Sequence, residues 1–282
     1  MITFRTMKVD DIPAGLSLCR SARWNQRLQD WELFLNMSPE GCRVALDESG
    51  TVVGTVTTVR YENHFSWIGM VLVDPARQRQ GIGMDLLKES LNILKDDATV
   101  KLDATPAGRE VYLKLNFMDE YPLSRMLCAS ISLDRLSASD TRPIQQIDLL
   151  KLFESDREVF GASRKTVLEW MWKAAPQYAF LIEAKGQIKG YCFGRSGHNY
   201  THIGPIITKD VNNAINLAAA ALQNCLGRPV VVDALHHSPE WLAWLSSIGF
   251  IEQRSLRRMY RGSNAWPGTP ENQFAILGPE FG

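Results

Sequence analysis

The stretch VDPARQRQGIGMDLL, Val73 to Leu87, joins an apolar run to a helical pattern. Gly81 and Gly83 stand where strand would turn into helix. Lacking a Cβ, they let backbone amides approach a bulky ligand and open dihedrals closed to other residues. The helix that follows points its unpaired N–H groups and positive dipole end at the same place. Arg77 and Arg79 add mobile positive charge. Together these features suit a phosphate or pyrophosphate. Alone, such a turn is more often a solvated connection, so the surrounding chain has to decide.

Upstream, SWIGMVLV (Ser66 to Val73) is nearly continuous in apolar residues, as expected of a strand covered on both faces. Downstream, Ile82, Leu86, Leu87, Leu91 and Leu94 share one helical face. ATVKLDAT then predicts a strand, and GREVYLKLNF a helix ending at Asn116. Ahead of these, ITFRT predicts a short strand and Asp11 to about Arg20 a helix. CRVALDESGTVVGTVTTVRY predicts a hairpin turning on Asp-Glu-Ser-Gly.

The second half repeats this order. FLIEAKGQIKGYCFGR matches the hairpin, HIGPIITKD matches WIGMVLVDP, and VVVDALHHSPEWLAWLSSIGF matches VKLDATPAGREVYLKLNF. Between the last two, Ala214, Leu217, Ala218, Ala221, Leu222 and Leu226 form the corresponding amphipathic face. One long unit occurring twice indicates duplicated domains rather than a solenoid. The expected units are residues 1–134 and 145–282, with a polar, turn-rich linker over about 135–144 (RLSASDTRP). FAILGPEFG is expected to add a closing strand. The copies differ in one place: Gly69 to Asp103 spans 34 positions, Gly204 to Asp233 only 29. The deficit falls where ARQRQGIG stands in the first copy. The second copy has the scaffold without the anion loop.

Bulk properties exclude several classes. The chain has 282 residues with 31 Lys plus Arg against 31 Asp plus Glu, so no global field recruits nucleic acid or an anionic membrane. Five scattered cysteines without a CxxC pair argue against a disulfide framework or a metal site and suit a reducing cytosol. The opening residues have no apolar core of a signal peptide, and no apolar run is long enough to span a bilayer. A soluble cytoplasmic protein is expected.

Neither a P-loop, GxxxxGK[ST], nor an ordered three-glycine Rossmann fingerprint is present. What matches is V-x-P-x-x-Q-x-x-G-x-G, read as Val73, Pro75, Gln78, Gly81 and Gly83. This resembles the acetyl-CoA-binding motif of the GNAT acyltransferase superfamily. Tyr112 ahead of a K-x-N-F ending, with Asn116 in the usual glycine place, resembles the family's last helix segment. Asn is the next-best residue for a left-handed cap. The resemblance extends over residues 1 to about 133, and over roughly 145 to 262 as one of order and spacing.

The resemblance implies an α/β fold of two tandem GNAT domains, each a mixed twisted sheet flanked by helices, the second degenerate. It implies that the SWIGMVLV and TVKLDAT strands splay apart. Acetyl-CoA would then be held by the first domain only, through Val71, Leu72, Val73, Gln78, Arg79, Gln80, Gly81, Ile82, Gly83, Met84 and Thr105. No metal is implied. Tyr112 matches the position at which many members carry the acid that protonates the departing sulfur. With a phenol pKa near ~10 it holds a proton at neutral pH. No general base is legible: SWIGMVLV lacks Asp and Glu, and Asp103 is as readily a loop or cap ligand as a catalyst. For the acceptor, Trp24, Asn25, Gln26 and Trp31 combine aromatic and amide groups, Asp30 adds an acid to attract an ammonium group, and Tyr61 is a further candidate. The tryptophans serve equally as core or seam. The function implied is N-acetylation of a primary amine on a small molecule by direct transfer. The alternatives are a non-catalytic acyl-CoA sensor and an enzyme acting on a protein amine.

Overall fold

The computed structural model describes residues 1–132, 134, 136–225 and 227–282. Leu226 of the second amphipathic face and Arg135 at the head of the expected linker lie outside the described residues. In chain order the elements are β1 (Thr3–Thr6), α1 (Ile12–Ser21), α2 (Leu28–Met37), β2 (Arg43–Leu46), β3 (Val52–Tyr61), β4 (Phe65–Val73), α3 (Ile82–Ile93), β5 (Thr99–Ala104), α4 (Pro106–Leu113) and β6 (Met118–Cys128). The second half contributes β7 (Thr141–Pro143), α5 (Leu149–Phe160), α6 (Lys165–Ala174), β8 (Phe180–Ala184), β9 (Gln187–Ser196), β10 (Thr201–Thr208), α7 (Val211–Leu222), β11 (Val230–Leu235), α8 (Pro239–Ser247), β12 (Ile251–Gly262) and β13 (Gln273–Ala275). Among the described residues, no helix is long and apolar enough to cross a membrane.

The strands form one 13-stranded sheet in the order β1-β2-β3-β4-β5-β12-β6-β11-β13-β10-β9-β8-β7. In its middle the two expected units, 1–134 and 145–282, interleave. β12, from the second half, pairs with β5 of the first, and β6, from the first half, pairs with β11 of the second. β6 and β12 pair with each other at the seam. Each half has handed one strand to the other, so neither half's sheet is complete on its own stretch of chain. The expected linker is also shorter than read, because Thr141–Pro143 already pairs with β8 at the sheet edge.

β4 shows how local chemistry sets up the site. Trp67, Met70 and Leu72 pack with α1 and α2, while Ile68, Val71 and Val73 pack with α3. Strict alternation would place Met70 with Ile68. A β-bulge intervenes: Thr57 pairs with Gly69 but Thr55 with Leu72, and Met70 takes φ 52°. The extra residue re-aims Val71 and Val73 toward α3. α3 answers with Ile82, Leu86 and Leu87, joined by its C-cap Leu94, all buried, each side chain contributing roughly 1.5–3 kcal/mol.

Candidate active site

β4 and β5 run parallel but pair only at Ser66 with Val100 and Trp67 with Lys101. Beyond the bulge they diverge. The opening is a cleft of about 530 Å³, walled by Gly69, Met70, Val71 and Val73 on one side and by Asp103 and Thr105 on the other. The turn from Arg77 to Gly83 roofs one end, and α4 supplies Gly108, Val111 and Tyr112.

The turn has the expected open dihedral at Gly81 but not at Gly83, which lies inside α3 without a positive φ. Arg79 and Gly81 adopt left-handed φ of 60° and 90°. Gly81 is the N-cap of α3 and offers no side-chain acceptor, so the first-turn amides of α3 have no capping side chain. A Cβ on Gly81 would have only the Asp85 carboxylate, at 4.0 Å, near it. Arg77 is tied back to Asp47 at 3.3 Å.

The second half repeats the frame and closes it. β10 and β11 pair only at Thr201 with Val230 and His202 with Val231, and β10 is bulged between Ile203 and Ile206. Here β13 fills the splay, pairing Ala275 with Ile206 on one side and with Ala234 on the other. The N-terminus of α7 is capped from within, since Asn213 N–H donates to the Asp210 carboxylate at 3.0 Å. The tail beyond β13 then crosses to the first cleft, where Pro279 and Glu280 form its far wall. Trp67 Nε1 donates to Pro279 O at 2.9 Å, and a Cβ on Gly69 would stand 2.8 Å from Glu280 O.

Val71, Val73, Gln78, Arg79, Gly81, Ile82, Gly83, Met84 and Thr105 all line the cleft. Leu72 does not: the bulge turns its side chain into the α1–α2 core. Gln80 is also outside, its Nε2 donating to Ala76 O at 3.4 Å. Tyr112 lies one helical turn beyond Gly108, which is close enough for a Cβ there to touch the ring at 3.1 Å. Thr105 caps this helix, accepting from Gly108 N–H at 3.1 Å. Among the described residues the Tyr112 hydroxyl has no protein partner, and burial pushes the phenol up to about 12. It keeps its proton throughout the neutral range.

Trp24, Asn25 and Gln26 reach the cleft. Asn25 is committed elsewhere, its Oδ1 accepting from Asn199 and Tyr200 N–H, both at 2.9 Å, so it docks the α1–α2 loop onto the second half. Asp30 is sealed in, 2% exposed, accepting from Arg27 N–H and paired with Arg195. Tyr61 is likewise buried, donating to Phe281 O at 2.8 Å. Neither faces the cleft, which corrects both expectations. Asp103 does face it but is held by Arg258 through two bonds of 2.8 Å. It is therefore an ion-pair partner and not a free base.

Sequence reasoning missed Arg125, Arg254 and Glu280, all of which line the cleft. Arg125 pairs with Asp233 through two bonds of 2.7 Å. Asp103 and Asp233 stand at matching places in the two copies, as do Arg125 and Arg258, eight residues after Phe117 and Phe250. Each aspartate takes the arginine of the other half, which follows from the exchanged strands. Burial works against ionising Glu280, but Arg195 outweighs it and holds the carboxylate below its ordinary range.

Two family models match the chain: "Acetyltransferase (GNAT) family" over residues 11–117 and "Acetyltransferase (GNAT) domain" over residues 152–275. Holothin acyltransferase of Pseudoalteromonas sp. (strain SANK 73390) is 27% identical over 244 residues, 85% of this chain and 81% of that one. A Bacillus subtilis (strain 168) N-acetyltransferase, YitH, is 27% identical over 194 residues, 68% of each chain. A candidate acetyltransferase from Pyrococcus horikoshii superposes with a TM-score of 0.82 at 23% identity, covering 100% of this chain and 96% of that one. A tandem GNAT protein from the clavulanic acid biosynthesis pathway gives 0.65 at 15% identity, covering 92% and 98%. These two superpositions speak to the fold. With both halves matched by GNAT models and acyltransferases among its relatives, the chain belongs to the GNAT acyltransferases as a tandem two-domain member.

Proposed function

We propose that the protein transfers an acetyl group from acetyl-CoA to a primary amine of a small molecule, within one ternary complex in the first cleft. The observation that carries this is the contrast between the two splays. One is open with an uncapped helix at its mouth; the other is filled by β13 and capped by Asp210.

The residues of the first cleft fit acetyl-CoA. The backbone from Gln78 to Gly83, with the free amides of α3, suits its pyrophosphate. Backbone groups of β4 past the bulge, unpaired on the β5 side, suit an extended amide-bearing arm. Acetyl-CoA supplies an activated thioester. Tyr112 then acts as general acid, giving its phenolic proton to the sulfur that leaves. Removal of the proton from the amine is assigned to no side chain: Asp103 is engaged by Arg258, and Glu280 by Arg195 and Gln26. Pro279 and Glu280 narrow the far end of the cleft, which favours a small acceptor over a protein chain.

Calorimetry of the intact protein with acetyl-CoA, followed by a thiol-release assay over an amine panel, tests this reading. One site per chain and amine-dependent thiol release are expected. Two sites per chain, or binding without release for every amine offered, would count against it.

A further inference from the structure

At the acceptor end of the cleft, all but one of the ionised side chains have been matched. Asp103 is taken by Arg258, Arg125 by Asp233, and Glu280 by Arg195 with Gln26 Nε2. Arg254 is the exception. It lies on β12 as the cross-strand partner of Arg125 and lines the cleft beside Leu256. Among the described residues its guanidinium makes no hydrogen bond or ion pair, and its Nε is buried without an acceptor. An unmatched buried donor on a cation is costly, so such a group marks a place where a ligand completes the bonding.

A second orphan lines the same cleft. Gln26 Nε2 donates to the Glu280 carboxylate at 2.9 Å, which fixes the amide's orientation, because the reverse would set oxygen against oxygen. Gln26 Oε1 is then left buried with no donor. Of the orphaned side-chain atoms in the described residues, these two alone belong to cleft-lining residues. One asks for an anion and the other for an N–H or O–H.

We propose that the acceptor is an amine that also bears a carboxylate, an amino-acid-like molecule whose carboxylate sits on Arg254 and one of whose donors meets Gln26 Oε1. This rests on the acyl-transfer reading of the cleft and narrows it. A guanidinium presents a planar fork that matches a carboxylate, and as a fixed positive charge it rejects polycationic amines.

The test does not require turnover. The full-length protein, saturated with CoA, is titrated by calorimetry with a panel of N-acetyl-amino acids and with their N-methylamides. At least one carboxylate should bind ten-fold or more tighter than its amide. Arg254→Gln should reduce the affinity of that carboxylate at least ten-fold and move the amide less than three-fold. Arg254→Lys should restore part of the preference. Because Arg254 has no protein partner to orphan, the melting temperature of each variant should stay near wild type, and it is measured alongside. Amides binding as tightly as carboxylates, no carboxylate binding at all, or equal losses for both in Arg254→Gln would each overturn the assignment. Failure of the broader reading looks different: CoA itself would not bind, or no amine would release thiol from acetyl-CoA.

Discussion

Tyr112 is the residue on which the chemistry is most exposed to test. Its phenol is raised by burial to about 12, so the proton it would donate is present below that pH and lost only as the pH rises through it. Turnover under rate-limiting chemistry should therefore show no alkaline limb from this group up to about pH 10. Tyr112→Phe should lower kcat by roughly 10²-fold, in the range for a lost general acid, while the acetyl-CoA affinity holds. An alkaline fall near pH 8 that disappears in the phenylalanine variant would mean the ring sits in a more polar place than the structure shows. The same scale explains where residue-level reading fell short. Asp30 and Tyr61 have suitable chemistry for a cleft, yet both are spent inside, one on Arg195 and one on Phe281 O. Nothing in a linear sequence says which partner, 165 or 220 positions away, will claim a side chain.

At the level of single elements, the decisive comparison is between the N-termini of α3 and α7. In α7 the amide of Asn213 is satisfied by the carboxylate of Asp210. α3 is preceded by its N-cap Gly81, with φ 90° and no such group. Gly81→Asp should import the second half's arrangement into the first. It would place a negative charge where the pyrophosphate is proposed to rest and would add a left-handed strain of about 1–2 kcal/mol. Acetyl-CoA affinity should weaken by ten-fold or more, with a melting temperature lowered by only a few degrees; unchanged affinity would move the pyrophosphate elsewhere. This element-level contrast was largely legible, because the five-position deficit in the second copy falls at the glycine turn. What hid was the filling of the second splay. Gln273–Ala275 is too short to announce whether it closes an edge or enters a gap.

For the molecule as a whole, sequence reading found two copies in order but not the trade between them. Pairing of β5 with β12 and of β6 with β11 depends on contacts between strands more than a hundred residues apart. Hydrophobic alternation specifies a face, not a neighbour. Unfolding should accordingly be a single cooperative transition in calorimetry and by two optical probes, not two steps. Residues 1–134 or 140–282 expressed alone should expose unpaired edges and aggregate, whereas coexpression should yield a soluble complex. Two independent melting steps, or a soluble folded half, would show that the exchange contributes little. The buried pairs Asp103–Arg258 and Arg125–Asp233 sit on this seam. Removing one partner should cost about 3–5 kcal/mol by stranding the other charge.

The traded strands also constrain how such a protein can be recombined. A graft joined at the connector would carry most of the first cleft from one parent while leaving two of its lining residues, Arg254 and Leu256, to the other. Under the proposed function, acceptor preference and cofactor grip would be inherited from opposite ends of the chain. A chimera meant to move specificity must transplant residues 251–262 along with the front half, whatever the reading order suggests.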